Sequence, residues 1–435
     1  MKTLNSKPQA GLQGHLTVPG DKSISHRGIM FGAISQGQTV LHHFLTSADC
    51  LSTLAAFQQL GVPISRSGDT VTIEGVGLNG LSGSSTPLDM GNSGTTTRLI
   101  MGLLAGQTFD STLVGDASLS KRPMRRVSDP LGAMHAEIET SDGHLPVTVH
   151  GRQLTAFNGR LQVASAQVKS ALILAALQAD GPSTIVEQLP TRDHTERLLN
   201  AFGADVQTAS DGITITVQPH PTLHGQTMTV PGDMSSAAFF MVAASLVPGS
   251  KVTLENVGMN PTRTGLLDIL QRMGGQVTVV PRSSKGEPVA DLTIETAQLK
   301  PIEIGETAIP AVIDELPLVA LLAAKADGIS TIIGASELRV KETDRISAVV
   351  TEFKKLGIAI EERPDGFVID GRQPWHVTDA NLDAHNDHRI GMVLAIASLL
   401  VATPLRLAGE ESVGISYPNF FADLATLLPK EVGQP

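Results

Sequence analysis

Hydrophobic and polar positions follow one repeating order along this chain. A polar loop leads into an apolar helical run, which ends near a glycine and a β-rich segment. The loops fall near residues 20, 92, 165, 232, 314 and 387, a period of roughly 70 residues. The runs they open span 28–35, 97–105, 169–179, 237–246, 316–326 and 389–401, apolar almost all round, so the pattern predicts six buried helices.

Each unit then carries a second, amphipathic helix with a glycine stop and a short strand. The endings are Phe57-Gln58-Gln59-Leu60-Gly61, Leu199-Asn200-Ala201-Phe202-Gly203, Leu270-Gln271-Arg272-Met273-Gly274 and Phe353-Lys354-Lys355-Leu356-Gly357. Glycine suits the left-handed residue that closes a helix. A weaker copy spans 129–136, with His135 in the glycine's place, and a truncated one lies at 424–429. The chain therefore reads as six β-α-β-α-β-β units, three per domain. A solenoid of six equal steps is the competing arrangement. Against it, Leu16-Thr17-Val18-Pro19-Gly20-Asp21-Lys22-Ser23 recurs as Met228-Thr229-Val230-Pro231-Gly232-Asp233-Met234-Ser235, which singles out two halves.

Length agrees, since 435 residues exceed one ordinary core. Aromatic residues are only 3%, so Ala, Val, Leu and Ile must fill the interiors. One cysteine, Cys50, excludes an internal disulfide framework and a cysteine zinc site, and is expected as a small, partly buried hydrophobe. The first residues have no apolar core of a signal peptide, and the longest apolar stretch, 390–402, is too short to span a bilayer. A cytoplasmic protein is expected. Net charge −11 argues against nucleic acid or an anionic membrane as partner. It leaves anionic small molecules open, because a few convergent cations can focus a local positive field.

Such cations recur where helices begin. Lys22, Arg27, Arg122, Arg192, Lys341, Arg345 and Arg389 all stand in or beside the helix-leading loops. Ser, Thr, Asn and Asp in those loops are ordinary caps. Lys and Arg are not, because a helix N-terminus is itself partly positive. A bound anion facing both explains the pattern, as N-terminal amides bind phosphate and carboxylate readily. Among these cations, Asp314 opens a buried helix, as an N-cap or a general base, and Glu342 lies between Lys341 and Arg345.

Five motifs together resemble the 5-enolpyruvylshikimate-3-phosphate synthase family. They are Pro19-Gly20-Asp21-Lys22-Ser23-Ile24-Ser25-His26-Arg27, Gly91-Asn92-Ser93-Gly94-Thr95, Asp116-Ala117-Ser118-Leu119-Ser120-Lys121-Arg122-Pro123-Met124, Arg339-Val340-Lys341-Glu342-Thr343-Asp344-Arg345 and Asn386-Asp387-His388-Arg389. The resemblance runs to Tyr417-Pro418. It implies an α/β fold of two similar domains, each an inside-out barrel of three βαβαββ units with pseudo-threefold symmetry. The implied domains are 21–229 and 1–20 plus 230–435, with crossings near 15–21 and 228–232 and the active site in the cleft between them.

It also implies transfer of the enolpyruvyl group of phosphoenolpyruvate to the 5-hydroxyl of shikimate 3-phosphate, with release of phosphate. No metal or organic cofactor, inhibition by glyphosate, and a monomer are the accompanying expectations. Matched by position, Lys22, Ser23, Arg27, Ser165, Ala166, Gln167, Arg192, Asp314 and Lys341 look like shikimate 3-phosphate contacts. Lys22, Gly94, Arg122, Gln167, Arg345 and Arg389 look like the phosphoenolpyruvate cradle, with His388 adjacent. Asp314 resembles the base for the 5-hydroxyl proton and Glu342 the group that helps protonate the methylene carbon, with Lys22 a third catalytic candidate.

Three positions depart from some members: Ala166 replaces Ser, Glu337 replaces Asn and Ile415 replaces Lys. The sister family acting on UDP-N-acetylglucosamine is the nearest alternative. It carries a reactive Cys near the place of 118–121 and Lys-Asn in place of Lys22-Ser23, neither of which occurs here. A non-catalytic repeat protein binding phosphorylated metabolites is the other alternative, and it has no need of Asp314 and Glu342 among the cations.

Overall fold

The computed structural model describes residues 1–283 and 287–429. Its contacts divide the chain into two units. One holds Met1–Pro19 and most of the chain from Pro231 onward, here the terminal unit. The other, the inserted unit, holds Gly20–Val230. Each encloses a separate apolar core.

The repeat is visible in the sheets. Among the described residues the strands form six, five of them four-stranded. In the sheet Leu88–Asp89, Ser111–Val114, His144–His150, Glu137–Ser141, the first pair is parallel and the rest antiparallel. The parallel pair is joined through the helix Gly94–Ala105, the step that a parallel connection requires. The other four-stranded sheets repeat this order.

Two sheets take their first strand from far away. Gln13–Leu16 pairs in parallel with Lys251–Gly258, and Thr227–Thr229 with Gln36–His42. The strand before each Pro-Gly-Asp segment thus belongs to one unit and the helix after it to the other. The truncated sixth copy is completed differently: Lys2–Thr3 lies antiparallel to Arg406–Ala408.

All six expected helices are present and buried. They span Lys22–Ala33, Gly94–Ala105, Ala166–Ala176, Met234–Leu246, Leu316–Ala323 and His388–Ser398. Every residue of Leu316–Ala323 is buried. In the terminal unit the last three of these pack on one another, with the sheets outside them. In the inserted unit Gly102 allows Gly94–Ala105 to approach Ala166–Ala176 so closely that a Cβ there would meet Ala171 O at 1.9 Å. The first helix begins six residues before the expected 28, because Ser25, His26 and Arg27 are polar yet buried. Ser25 Oγ accepts from Leu45 N at 3.1 Å, and the hydrogen bonds of His26 Nδ1 and Arg27 likewise make their burial tolerable.

The glycine stops behave as their position requires. Gly61, Gly203, Gly274 and Gly357 have φ of 87°, 105°, 87° and 78°, and His135 takes the same left-handed form at 63°. Cys50 is fully rather than partly buried, because the helix Ala48–Gln59 packs that face inward. Burial pushes its thiol pKa up, so it is an inert core residue. No helix among the described residues is long and apolar enough to cross a membrane.

Candidate active site

The buried helices begin together in each unit, so their N-terminal residues meet. In the inserted unit Arg27, one turn into Lys22–Ala33, donates from Nε to Thr195 Oγ1 at 2.7 Å. It also donates from Nη2 to Ser170 Oγ at 2.9 Å and from Nη1 to Ser23 O at 3.0 Å. Three helices are thereby tied to one guanidinium. Burial lowers its pKa to about 10, which still leaves it charged at neutral pH. Arg192, in the loop before His194–Phe202, adds to the same positive field.

Lys22 is half-buried and pairs with Asp49 Oδ2 at 3.0 Å. Next to it burial holds His26 neutral, with a pKa of about 3. His26 Nδ1 lies 2.6 Å from Thr53 Oγ1, Thr53 Oγ1 2.6 Å from Thr96 Oγ1, and Thr96 Oγ1 2.6 Å from Ser93 Oγ. Ser93 in turn caps Gly94–Ala105 by accepting from Thr96 N. This chain fixes the turn that presents Gly94.

At Gly94 the space is set by two guanidiniums. A Cβ there would meet Arg122 Nη1 at 3.1 Å and Arg98 Nη1 at 3.3 Å. Arg122 donates to Asn92 Oδ1 at 3.1 Å, and Asn92 to Asp116 Oδ2 at 2.7 Å. Arg98 Nη1 donates to Gln167 Oε1 at 2.7 Å, and Gln167 Nε2 to Thr95 Oγ1 at 3.1 Å. Ser165, Ala166 and Gln167 form the half-buried start of Ala166–Ala176, and the Ser165 side chain makes no capping bond.

Behind Arg192 is a buried cluster that motif reading does not find. Lys169 Nζ lies 2.8 Å from Glu196 Oε1, 2.9 Å from Glu187 Oε2 and 3.3 Å from Thr191 O. Thr191 Oγ1 donates to Glu187 Oε1. Burial opposes charge on Lys169, yet the two carboxylates outweigh it and raise its pKa. A charge inside an apolar helical run is the signal that could have found Lys169 and Arg98.

The terminal unit gathers the remaining candidates. Asp314 does not cap its helix: Glu315 occupies the cap position of Leu316–Ala323, without a side-chain capping bond. Instead Asp314 Oδ1 lies 3.5 Å from Lys341 Nζ and 3.4 Å from Arg345 Nη1, and Oδ2 3.9 Å from Arg389 Nη2. Arg389 Nη1 donates to Asp314 O at 3.2 Å and lies 3.5 Å from Glu315 Oε1. Glu342 Oε2 accepts from Arg345 Nη2 at 2.7 Å.

Arg345 begins Arg345–Lys355, which Asp344 caps through Ile346 N and Ser347 N. Burial disfavours its charge, but Asp387, Glu342 and Asp314 together raise its pKa. His388, the buried first residue of His388–Ser398, follows Asp387, which caps that helix through Arg389 N. Ser235, in the duplicated Pro-Gly-Asp segment, donates to Glu315 Oε1 and accepts from Arg263 Nη2 at 2.7 Å. Met234, in the place of Lys22, is buried. Ile415 ends the turn Glu410–Ile415, and Glu337 lies in Ser336–Val340.

The inserted unit thus gathers Lys22, Ser23, Arg27, Gly94, Arg122, Ser165, Ala166, Gln167 and Arg192 around its buried helix starts. The terminal unit gathers Asp314, Lys341, Glu342, Arg345, His388 and Arg389 around its own. No group of His, Cys, Asp and Glu suited to a metal ion occurs among the described residues.

Comparison with known proteins leads to one family. The family model of EPSP synthase (3-phosphoshikimate 1-carboxyvinyltransferase) matches residues 6–424. A 3-phosphoshikimate 1-carboxyvinyltransferase of Lactiplantibacillus plantarum is 64% identical over 98% of this chain and 99% of its own. One from Limosilactobacillus fermentum is 55% identical over 98% of each. The solved EPSP synthase of Acinetobacter baumannii superposes with a TM-score of 0.87 at 44% identity, covering all of both chains. The enolpyruvyl transferase NikO of Streptomyces tendae, at 19% identity and a TM-score of 0.80 over 98% of this chain and 97% of its own, shares the fold. By the family model, the length and level of these identities and the matching fold, this chain belongs to the EPSP synthase family.

Proposed function

We propose that the chain transfers the enolpyruvyl group of phosphoenolpyruvate to the 5-hydroxyl of shikimate 3-phosphate. The observation that carries this reading is the setting of Asp314, a carboxylate within 4 Å of Lys341, Arg345 and Arg389. A carboxylate beside anion-binding cations suits a reaction that must take a hydroxyl proton next to a phosphate.

Shikimate 3-phosphate is assigned to Lys22, Ser23, Arg27, Ser165, Ala166, Gln167, Arg192, Asp314 and Lys341. Phosphoenolpyruvate is assigned to Lys22, Gly94, Arg122, Gln167, Arg345 and Arg389. In the addition step the methylene carbon gains a proton, the 5-oxygen bonds to the central carbon, and the hydroxyl proton passes to Asp314. Glu342, held by Arg345, is assigned the delivery of that proton to the methylene carbon, and Lys22 the balancing of charge on either substrate. Elimination then returns a methyl proton to Glu342 and breaks the bond to the phosphate oxygen, giving 5-enolpyruvylshikimate 3-phosphate and phosphate, which carries off the proton held by Asp314. A protonated Asp314 attracts Lys341, Arg345 and Arg389 less, leaving their charge for the departing phosphate.

The chain is expected to act as a monomer and to be inhibited by glyphosate at the phosphoenolpyruvate subsite. Phosphate release from phosphoenolpyruvate on addition of shikimate 3-phosphate tests the reading directly. Release with UDP-N-acetylglucosamine instead, or none with either acceptor, would overturn it.

A further inference from the structure

Glu352 is a buried carboxylate, 1% exposed, that no step above uses. It stands seven residues after Arg345 on Arg345–Lys355, two turns on and so on the same face. Lys355 Nζ donates to both of its oxygens at 2.9 Å. Asp383 N donates to Oε2 at 3.0 Å, and His385 Nε2 lies 3.0 Å from Oε1. Arg345 on the same helix meets Asp387. One helix therefore grips the segment 383–387 at two places.

Between those grips the backbone is strained. His385 and Asn386 both adopt left-handed conformations, with φ of 52° and 55°. Asn adopts that form with little strain, whereas the His before it needs support from its surroundings. Here Asp383 Oδ1 accepts from His385 N at 2.7 Å and Asp387 N donates to Ala384 O at 2.9 Å, and Glu352 ties the turn to the helix behind it through both 383 and 385. The turn then delivers Asp387 to Arg345 and starts the helix that carries Arg389. Neutralising Lys355 does not explain the arrangement, since the lysine is partly solvated and needs no buried partner.

We infer that Glu352, acting with His385, is a positioning residue for the phosphoenolpyruvate subsite. It holds the His385-Asn386 turn in its left-handed form and so sets the placement of Arg389 and of the Asp387–Arg345 pair. The inference rests on the reading that Arg345 and Arg389 receive phosphoenolpyruvate.

The test uses the full chain, with each substrate varied in turn, and compares Glu352→Gln, His385→Asn and His385→Gln with Arg389→Gln. Asn tolerates left-handed backbone but is too short to reach Glu352, so it removes the contact without adding strain. Gln can reach. Glu352→Gln and His385→Asn should raise KM for phosphoenolpyruvate roughly tenfold, as expected for a displaced binding group, with KM for shikimate 3-phosphate unchanged. His385→Gln should recover part of the loss. If Arg389→Gln raises that KM and Glu352→Gln and His385→Asn do not, the positioning role is overturned while the subsite stands. A fall in melting temperature with both KM values unmoved has the same meaning. If Arg389→Gln itself leaves KM for phosphoenolpyruvate unchanged, the subsite reading falls, and this inference with it.

Discussion

Arg345 Nε lies 2.7 Å from Asp387 Oδ2, and Nη2 3.2 Å from Oδ1, a two-pronged ion pair whose members are 1% and 0% exposed. Such a pair is costly to break, because the partner left behind keeps its charge without water. Asp387→Asn should destabilise the protein by about 3 kcal/mol or more. It should also weaken phosphoenolpyruvate binding, since Arg345 loses its anchor. Denaturant unfolding alongside a KM measurement checks both. Unaltered stability would mean that Glu342 and Asp314 suffice to hold the guanidinium.

Asp314→Asn keeps the size of the side chain and removes its ability to take a proton. The expected result is a kcat lower by roughly a factor of a hundred or more with modest changes in both KM values. Rapid-quench detection of the product of the addition step, with its formation rate lowered in the variant, checks the assignment. A large rise in KM for shikimate 3-phosphate at unchanged kcat would recast Asp314 as a binding group.

Gly94→Ala places a methyl group 3.1 Å from Arg122 Nη1 and 3.3 Å from Arg98 Nη1. Both are ends of flexible side chains, so the fold should survive while the guanidiniums shift by tenths of an ångström. The wild-type chain should be inhibited by low concentrations of glyphosate. The variant should need far more, with a smaller rise in KM for phosphoenolpyruvate. Activity of the wild-type chain at millimolar glyphosate would refute this.

His26 is held neutral with a pKa of about 3 by burial, whereas an unfolded histidine titrates near 6.5. Between those values the unfolded chain binds the extra proton, so stability is full above about pH 6.5 and falls as pH drops toward 3, by up to about 1.4 kcal/mol per pH unit. Thermal midpoints measured from pH 7 to 4 should fall less steeply in His26→Gln than in the wild type. Parallel curves would show that His26 does not contribute.

Particular residues show how far the sequence could be read. The six apolar runs announced buried helices because helix burial depends on composition along one segment. Gly61, Gly203, Gly274, Gly357 and even His135 announced left-handed helix ends because that conformation is a local property. The cations in the loops were visible because caps do not call for Lys or Arg. Arg98, Lys169, Asp49 and Glu352, all inside helices, give no such signal. Each matters through a partner distant in sequence: Arg98 through Gln167, Lys169 through Glu187 and Glu196, Asp49 through Lys22, and Glu352 through His385.

Local patterning therefore determined the repeat, the buried helices, the helix stops and the positively charged loops, all of which depend on neighbours within a few turns of chain. Tertiary structure decided which strand joins which sheet, so that Gln13–Leu16 pairs with Lys251–Gly258 and Thr227–Thr229 with Gln36–His42. It also decided that Asp314 faces Lys341, Arg345 and Arg389 rather than capping its own helix. Strand partners and buried charge pairs are chosen by packing in three dimensions, where a carboxylate shielded from water must find its cation wherever the fold brings one.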